Sequence, residues 1–155
     1  MSSVKILQFQ GVSLISRLIR FQTRSKYSHT ALLTSDNTVI EAWHKGGVQE
    51  VASISTLHTP GTKVDVFEFT WKVDKELIEE FARKQVGCKY DFLAILRFLS
   101  RRPYTENDRW FCSELIASAT EYAGYPLIRL PSYEVSPRDI AGSAKLRYVE
   151  TIVTE

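Results

Sequence analysis

Cysteine and histidine are both scarce in this chain. Its two cysteines, Cys88 and Cys112, stand 24 residues apart and form no Cys-x-x-Cys pair. A structural zinc site needs more ligands than that, and one bridge does not make a disulfide scaffold. Both are read as free thiols of a reducing compartment. Long apolar runs are absent as well. No stretch approaches the roughly 18 residues of a membrane span. The opening, Met1 to Gln10, has neither an apolar leader core nor a small-residue cleavage site, so no secretory signal and a cytoplasmic location are expected. An excess of one charge is also lacking. The balance is 20 basic against 18 acidic residues, a net +2, which excludes the strongly basic footprint of a nucleic-acid-binding domain. No repeat, linker or low-complexity tract interrupts the 155 residues. Residues 1–155 are therefore read as a single domain, long enough to bury its own core.

Periodicity supplies the elements. Val4 to Phe9 reads as a strand. Val12, Leu14, Ile15, Leu18, Ile19 and Phe21 form a helical stripe, with Arg17, Arg20 and Arg24 outside it. Tyr27 to Thr34 and Thr38 to Trp43 read as strands of a hairpin around the turn Ser35-Asp36-Asn37. Gly46-Gly47 breaks the chain before a third candidate, Val48 to Ile54, and Lys63 to Phe69 alternates as a core strand. Asp74 caps a helix that Gly87 stops near Val86. Asp91 to Leu99 is apolar and predicts a short helix ended by Arg101-Arg102-Pro103. Asn107 or Asp108 is the expected cap of the next helix, which contains Cys112 and ends at Gly124-Tyr125-Pro126. Ser136-Pro137-Arg138-Asp139 opens a last helical turn, and Leu146 to Val153 closes the chain as a strand. The class is α+β, with helices packed on one antiparallel sheet.

Chemistry concentrates on three residues. Cys112 stands at a helix start, where the positive end of the dipole lowers a thiol pKa. Such a thiolate is a nucleophile if an imidazole reaches it. His29 is the candidate base and Glu41 the group that orients it. If Thr34 pairs with Thr38 across a three-residue loop, paired numbers sum to 72. Ala31 then opposes Glu41, and His29 and Glu41 become diagonal neighbours on one face, roughly 7–8 Å apart. A loop of two or four residues slips the register by one and separates them. Backbone N–H groups of Cys112 or Ser113 can meet an oxyanion. Taken singly, each residue has a plainer reading: Cys112 as a small buried hydrophobe, His29 as a core histidine, Glu41 as an exposed strand residue. Against the last, Glu41 interrupts the apolar run Val39 to Trp43, where an acid needs a partner. His44 and His58 lie in polar loop contexts and read as surface residues.

Gly87-Cys88-Lys89-Tyr90-Asp91-Phe92, Trp110-Phe111-Cys112-Ser113-Glu114-Leu115 and Tyr27-Ser28-His29-Thr30-Ala31-Leu32 resemble segments of the papain-like, NlpC-type cysteine peptidase superfamily. The His strand precedes the Cys helix, an order similar to the circularly permuted, YiiX-like branch, which Val39 to Ala42 and Ser136 to Asp139 also resemble. The resemblance spans roughly Tyr27 to Ile140. It implies a permuted papain-like fold with Cys112 as nucleophile, His29 as base and Glu41 as third member. It places Tyr90 beside the thiolate, where its hydroxyl helps to polarise a substrate carbonyl. No metal and no cofactor are expected. Phe111, Glu114 and the acid at Glu41 depart from the unpermuted pattern. They fit the permuted branch, which favours acyl or lipid-linked amide substrates over peptidoglycan. Phe92, Leu93, Ile95, Leu96, Phe98 and Leu99 are candidates for an apolar groove, although a helix core explains most of them.

The leading expectation is a thiol hydrolase that cleaves an amide or ester of a small peptide, acyl or lipid-linked substrate. The same trio would also serve an acyltransferase, since only exclusion of water separates the two. A non-catalytic binding module is the rival from another class. A further reading gives the helix from Val12 to Arg24 a peripheral membrane contact, through Arg17, Arg20, Arg24 and Lys26, although a solvated helix face explains those charges more simply.

Overall fold

The computed structural model describes residues 3–94 and 108–155. Six of its strands form one antiparallel sheet: β1 (Lys5–Gln10), β2 (His29–Leu33), β3 (Val39–Trp43), β4 (Gly47–Val51), β5 (Lys63–Phe69) and the last strand, β8 (Leu146–Val153). They lie in the order β4-β3-β2-β1-β5-β8. Every neighbouring pair is antiparallel, so the α+β expectation holds.

Strand alternation divides the sheet into two cores. Ile6, Leu32, Ile40, Ala42 and Phe67 face one side, where they pack with Ile78 of helix α2 (Lys75–Lys84) and with Cys112, Leu115 and Ile116 of helix α3 (Cys112–Tyr122). Leu7, Phe9, Ala31, Val39, Val64 and Val66 face the other side. The loop at residues 52–62 contributes Ile54 to that second cluster and stacks His58 on Phe9, with ring centroids 3.9 Å apart. Both cores are dry. Truncating Leu115, which has no exposed surface, to alanine is expected to cost about 2–5 kcal/mol.

The caps follow the sequence at α2 but not at α3. Asp74 accepts from Leu77 N at 3.1 Å, and Gly87 supplies the positive φ, 96°, that ends this region. At α3 the cap is Phe111, not Asn107 or Asp108. Asn107 lies outside the described residues. Asp108 directly precedes a two-residue strand, β7 (Arg109–Trp110), which pairs in parallel with β6 (Lys89–Tyr90). That pairing holds the chain extended until Phe111, and Glu114 accepts from Phe111 N at 3.5 Å. A short helix α4 (Pro137–Ala141) starts at Ser136, whose hydroxyl accepts from Asp139 N. Gly47 begins β4 where the chain at Cys88 passes close by. A Cβ there would lie 2.1 Å from Cys88 O, and Val48 N donates to that same oxygen at 2.9 Å. The expected helix from Asp91 to Leu99 falls largely outside the described residues.

The N-terminal helix α1 (Leu14–Thr23) departs from the expected stripe. Ser16, Ile19 and Thr23 face inward, whereas Leu14, Leu18 and Phe21 are exposed. Ser16 can go inside because its hydroxyl is bonded to Ser13 Oγ at 2.9 Å. Thr23 is satisfied by Ile19 O at 2.8 Å.

Candidate active site

The β2–β3 hairpin decides the geometry. Thr34 N donates to Thr38 O at 2.9 Å, Leu33 pairs with Val39 and Leu32 with Ile40. Both pairs sum to 72, the register that the three-residue loop predicts. His29 and Glu41 are thereby diagonal on one face, and His29 Nε2 lies 2.6 Å from Glu41 Oε2. The pairing stops at Leu32–Ile40, so β2 and β3 part toward His29 and Trp43. The His29 ring stands edge-on to Trp43, with centroids 5.1 Å apart.

Glu41 has no exposed surface and His29 only 5%. Sequence reasoning placed His58 on the surface, and here the structure differs. His58 is buried, and its Nε2 lies 2.8 Å from the same Glu41 oxygen. Nothing in its loop sequence signals this, because residues 52–62 carry no periodicity that fixes where they fold back. His44 is half-buried and leans on Trp43. Burial alone would raise the Glu41 carboxyl, but hydrogen bonds from His29 and His58 override it and hold the group at about 2. Burial pushes the His29 ring below its ordinary value, against the pull of Glu41. Near neutral pH this is a neutral imidazole beside a carboxylate. Its Nε2–H donates to Glu41, which leaves the lone pair on Nδ1.

Cys112 is held differently. It is 1% exposed and packs in the other core, with Leu32, Ile40 and Ala42. The alternation of β2 sends His29 to one side and Thr30 to the other. The sulfur meets the strand where the ladder opens and accepts from the backbone N–H groups of Thr30, Ser113 and Cys112 itself. No hydrogen bond joins Sγ to His29 among the described residues. The helix start was expected to lower this pKa; instead burial pushes the thiol up to about 12, and the Glu41 charge adds to the rise. Desolvation outweighs the helix dipole and the N–H donors. The thiol described here is protonated at neutral pH.

Tyr90 and Ser113 flank the sulfur. Tyr90 is buried, and burial above all raises its phenol well above the ordinary range, so it stays a donor. The β6–β7 pairing sets it beside Phe111, with ring centroids 5.8 Å apart. The Ser113 hydroxyl is turned away, donating to Val135 O at 2.6 Å. Its backbone N–H is the part that faces the sulfur. Phe92 and Leu93 are exposed; the other four groove candidates lie outside the described residues.

A cavity of about 40 Å³ opens on the imidazole side, lined by His29, His58, Trp43, Phe9, Ser16 and Thr62 among others, but not by Cys112. Ligand pockets run to roughly 300–1,000 Å³, so this arrangement is closed. Among the described residues, His29, Glu41 and His58 are the one group whose donor atoms, within 4.8 Å of one another, could hold a metal ion. By donor type the set suits a divalent ion, and Glu41 Oε1 is buried without a partner. Both imidazole Nε2 atoms, however, converge on one oxygen at hydrogen-bond distance, an arrangement that suits protons.

No family model matches the chain. A curated relative, the probable lipoprotein peptidase YaeF of Escherichia coli, is 26% identical over 79% of this chain and 56% of its own length. The chain thus spans about half the length of the curated relative it matches. The crystal structure of the metalloprotein yiiX, also from Escherichia coli, superposes with a TM-score of 0.71 over 96% of each chain at 19% identity. The fold is the papain-like one. Among the described residues, no helix is long and apolar enough to cross a membrane.

Proposed function

We propose that this chain is a thiol hydrolase of the YiiX-like branch of the NlpC/papain-like superfamily, which its likenesses fit, and that it cleaves an amide or ester through an acyl-enzyme on Cys112. The observation that carries this reading is the buried His29–Glu41 pair, 2.6 Å long, beside the opening of the β2–β3 ladder where the Cys112 sulfur meets the Thr30 backbone. Glu41 fixes Nε2–H on His29, so Nδ1 is the basic position. The Cys112 S–H proton passes to Nδ1, and the thiolate attacks the substrate carbonyl carbon. The C–N or C–O bond breaks, and the imidazolium returns its proton to the leaving group. Water, deprotonated by the same ring, then releases the acid and restores the thiol. Tyr90 and the Cys112 and Ser113 N–H groups supply donors for the oxyanion.

The resting thiol is neutral and sealed. Activation therefore requires substrate to open the gap and bring ring and sulfur into contact. A pre-formed ion pair is not part of this mechanism. Substrates are small acyl, peptide or lipid-linked compounds, in keeping with the relative's name and with the apolar Phe92 and Leu93 exposed next to Tyr90. Two unbridged cysteines suit a reducing compartment. The test is a mass adduct from an activated acyl ester in a Cys88→Ser background: an acyl group on Cys112 that water discharges supports hydrolysis. Discharge to added amine in preference to water would assign acyl transfer instead.

A second reading rests on the partnerless Glu41 Oε1 and on the description of yiiX as a metalloprotein. In it, His29, Glu41 and His58 hold a divalent ion. Metal content after purification with and without chelator separates the two. A stoichiometric ion lost by His58→Ala would favour the metal site.

A further inference from the structure

Helices α1 and α2 have the same length and opposite dispositions. In α2 the inward side carries Ile78 and Ala82, and Lys75, Glu76, Glu80 and Lys84 face solvent, the ordinary arrangement of a surface helix. In α1 the inward side carries two hydroxyl residues and one isoleucine. Its outward side carries Leu14 at 83% exposure, Leu18 at 45% and Phe21 at 80%, and Val12 just before the helix is 54% exposed. The spacing i, i+4, i+7 aligns Leu14, Leu18 and Phe21 in one row. An exposed row of this size on a monomer marks a contact surface.

Charge identifies what it contacts. Arg17, Arg20 and Arg24, at i, i+3 and i+7, form a second row alongside the first. Arg17 and Arg24 are exposed and have no ion-pair partner among the described residues. Arg20 is half-buried and donates to Gly11 O at 3.3 Å. Lys26 is engaged with Asp65 at 3.1 Å. The chain has no Asp or Glu before Asp36, so no acid stands near Arg17 or Arg24 in sequence. Two apolar side chains standing almost free, edged by unpaired guanidinium groups, match a bilayer interface that offers acyl chains below and phosphates above. We infer that α1 docks the protein on anionic phospholipid surfaces. The same segment lines the His29 cavity through Gly11, Val12, Ser13 and Ser16, so docking sets that cavity at the lipid boundary. The inference does not depend on catalysis.

The test is co-sedimentation of the full chain with phosphatidylcholine vesicles and with vesicles that also contain phosphatidylglycerol. Expected is binding to the anionic vesicles that weakens steeply with salt. Leu14→Ser/Phe21→Ser and Arg17→Glu/Arg24→Glu should each weaken it by about tenfold or more, with thermal midpoints close to wild type because all four residues are exposed. Absence of binding to anionic vesicles, or equal binding by the wild type and both folded variants, would overturn the inference. A wild-type dimer in solution that Leu14→Ser/Phe21→Ser converts to monomer would also overturn it, by giving the face to a second copy of the chain.

Discussion

The two faces of the β2–β3 hairpin hold their reactive groups in opposite states. On one face Glu41 is ionised and bonded by two histidines, which themselves pack on Phe9 and Trp43. On the other, Cys112 is neutral and packed among aliphatic side chains. Both groups are almost fully buried. Burial does not fix the charge state of either one: local donors do. Glu41 receives two strong donors and ionises, while three backbone N–H groups cannot overcome desolvation of a thiolate. In the proposed hydrolase, a thiol stored neutral beside an imidazole that already has its tautomer set would be protected from stray oxidation and would need only contact to react.

That contrast can be broken from either side. The largest effect is expected from Cys112→Ala, which should abolish acyl-adduct formation and turnover. His29→Ala should lower kcat/KM by about 10²–10⁴-fold. Glu41→Gln keeps an acceptor oxygen but removes the charge, so a loss on the order of tenfold is expected. Rates equal to wild type would remove Glu41 from the mechanism. His58→Ala should cost less activity than Glu41→Gln. It leaves Glu41 with one donor, and stability measured in urea should fall by about 1–3 kcal/mol.

Stability against pH should sharpen the contrast further. A carboxyl held at about 2, from an ordinary 4.5, stabilises the fold above pH 4.5, and that contribution is lost as pH falls toward 2. His29, lowered by burial, starts the acid decline earlier. Its contribution is complete above its ordinary 6.5 and fades below it. Cys112, raised from 9.0 to about 12, gives the reverse: stability is present below pH 9 and lost as pH rises toward 12. Urea midpoints across pH should show an acid limb that Glu41→Gln flattens and an alkaline limb that Cys112→Ala flattens. The smallest effect expected is in labelling. Iodoacetamide at neutral pH should modify the half-buried Cys88 before the sealed Cys112, and the reverse order would mean that the thiol is already activated.

Much of this was legible in the sequence, for identifiable reasons. Thr34 to Thr38 set the loop length, the loop set the register, and period-two alternation then joined His29 to Glu41. The apolar neighbours of Glu41 signalled a buried partner, and one of its two was found. His58 was missed because its loop returns to Phe9 through tertiary packing alone. The position of Cys112 at a helix start was readable. Its burial was not, since that depends on how α3 lies over Leu32 and Ile40, and the dipole argument therefore gave the wrong sign. The α1 stripe was visible as a periodicity, but a pattern of hydrophobic residues does not say which side of a helix meets the sheet. Paired hydroxyls at Ser13 and Ser16 reversed it.

The most direct measurement is intact-protein mass spectrometry of the Cys88→Ser chain, with and without His29→Ala, after exposure to an activated acyl ester. Expected is a transient acyl adduct on Cys112 that His29→Ala slows by at least a hundredfold. An adduct that forms equally fast without the imidazole, or none on Cys112 at all, would contradict a thiol that His29 deprotonates.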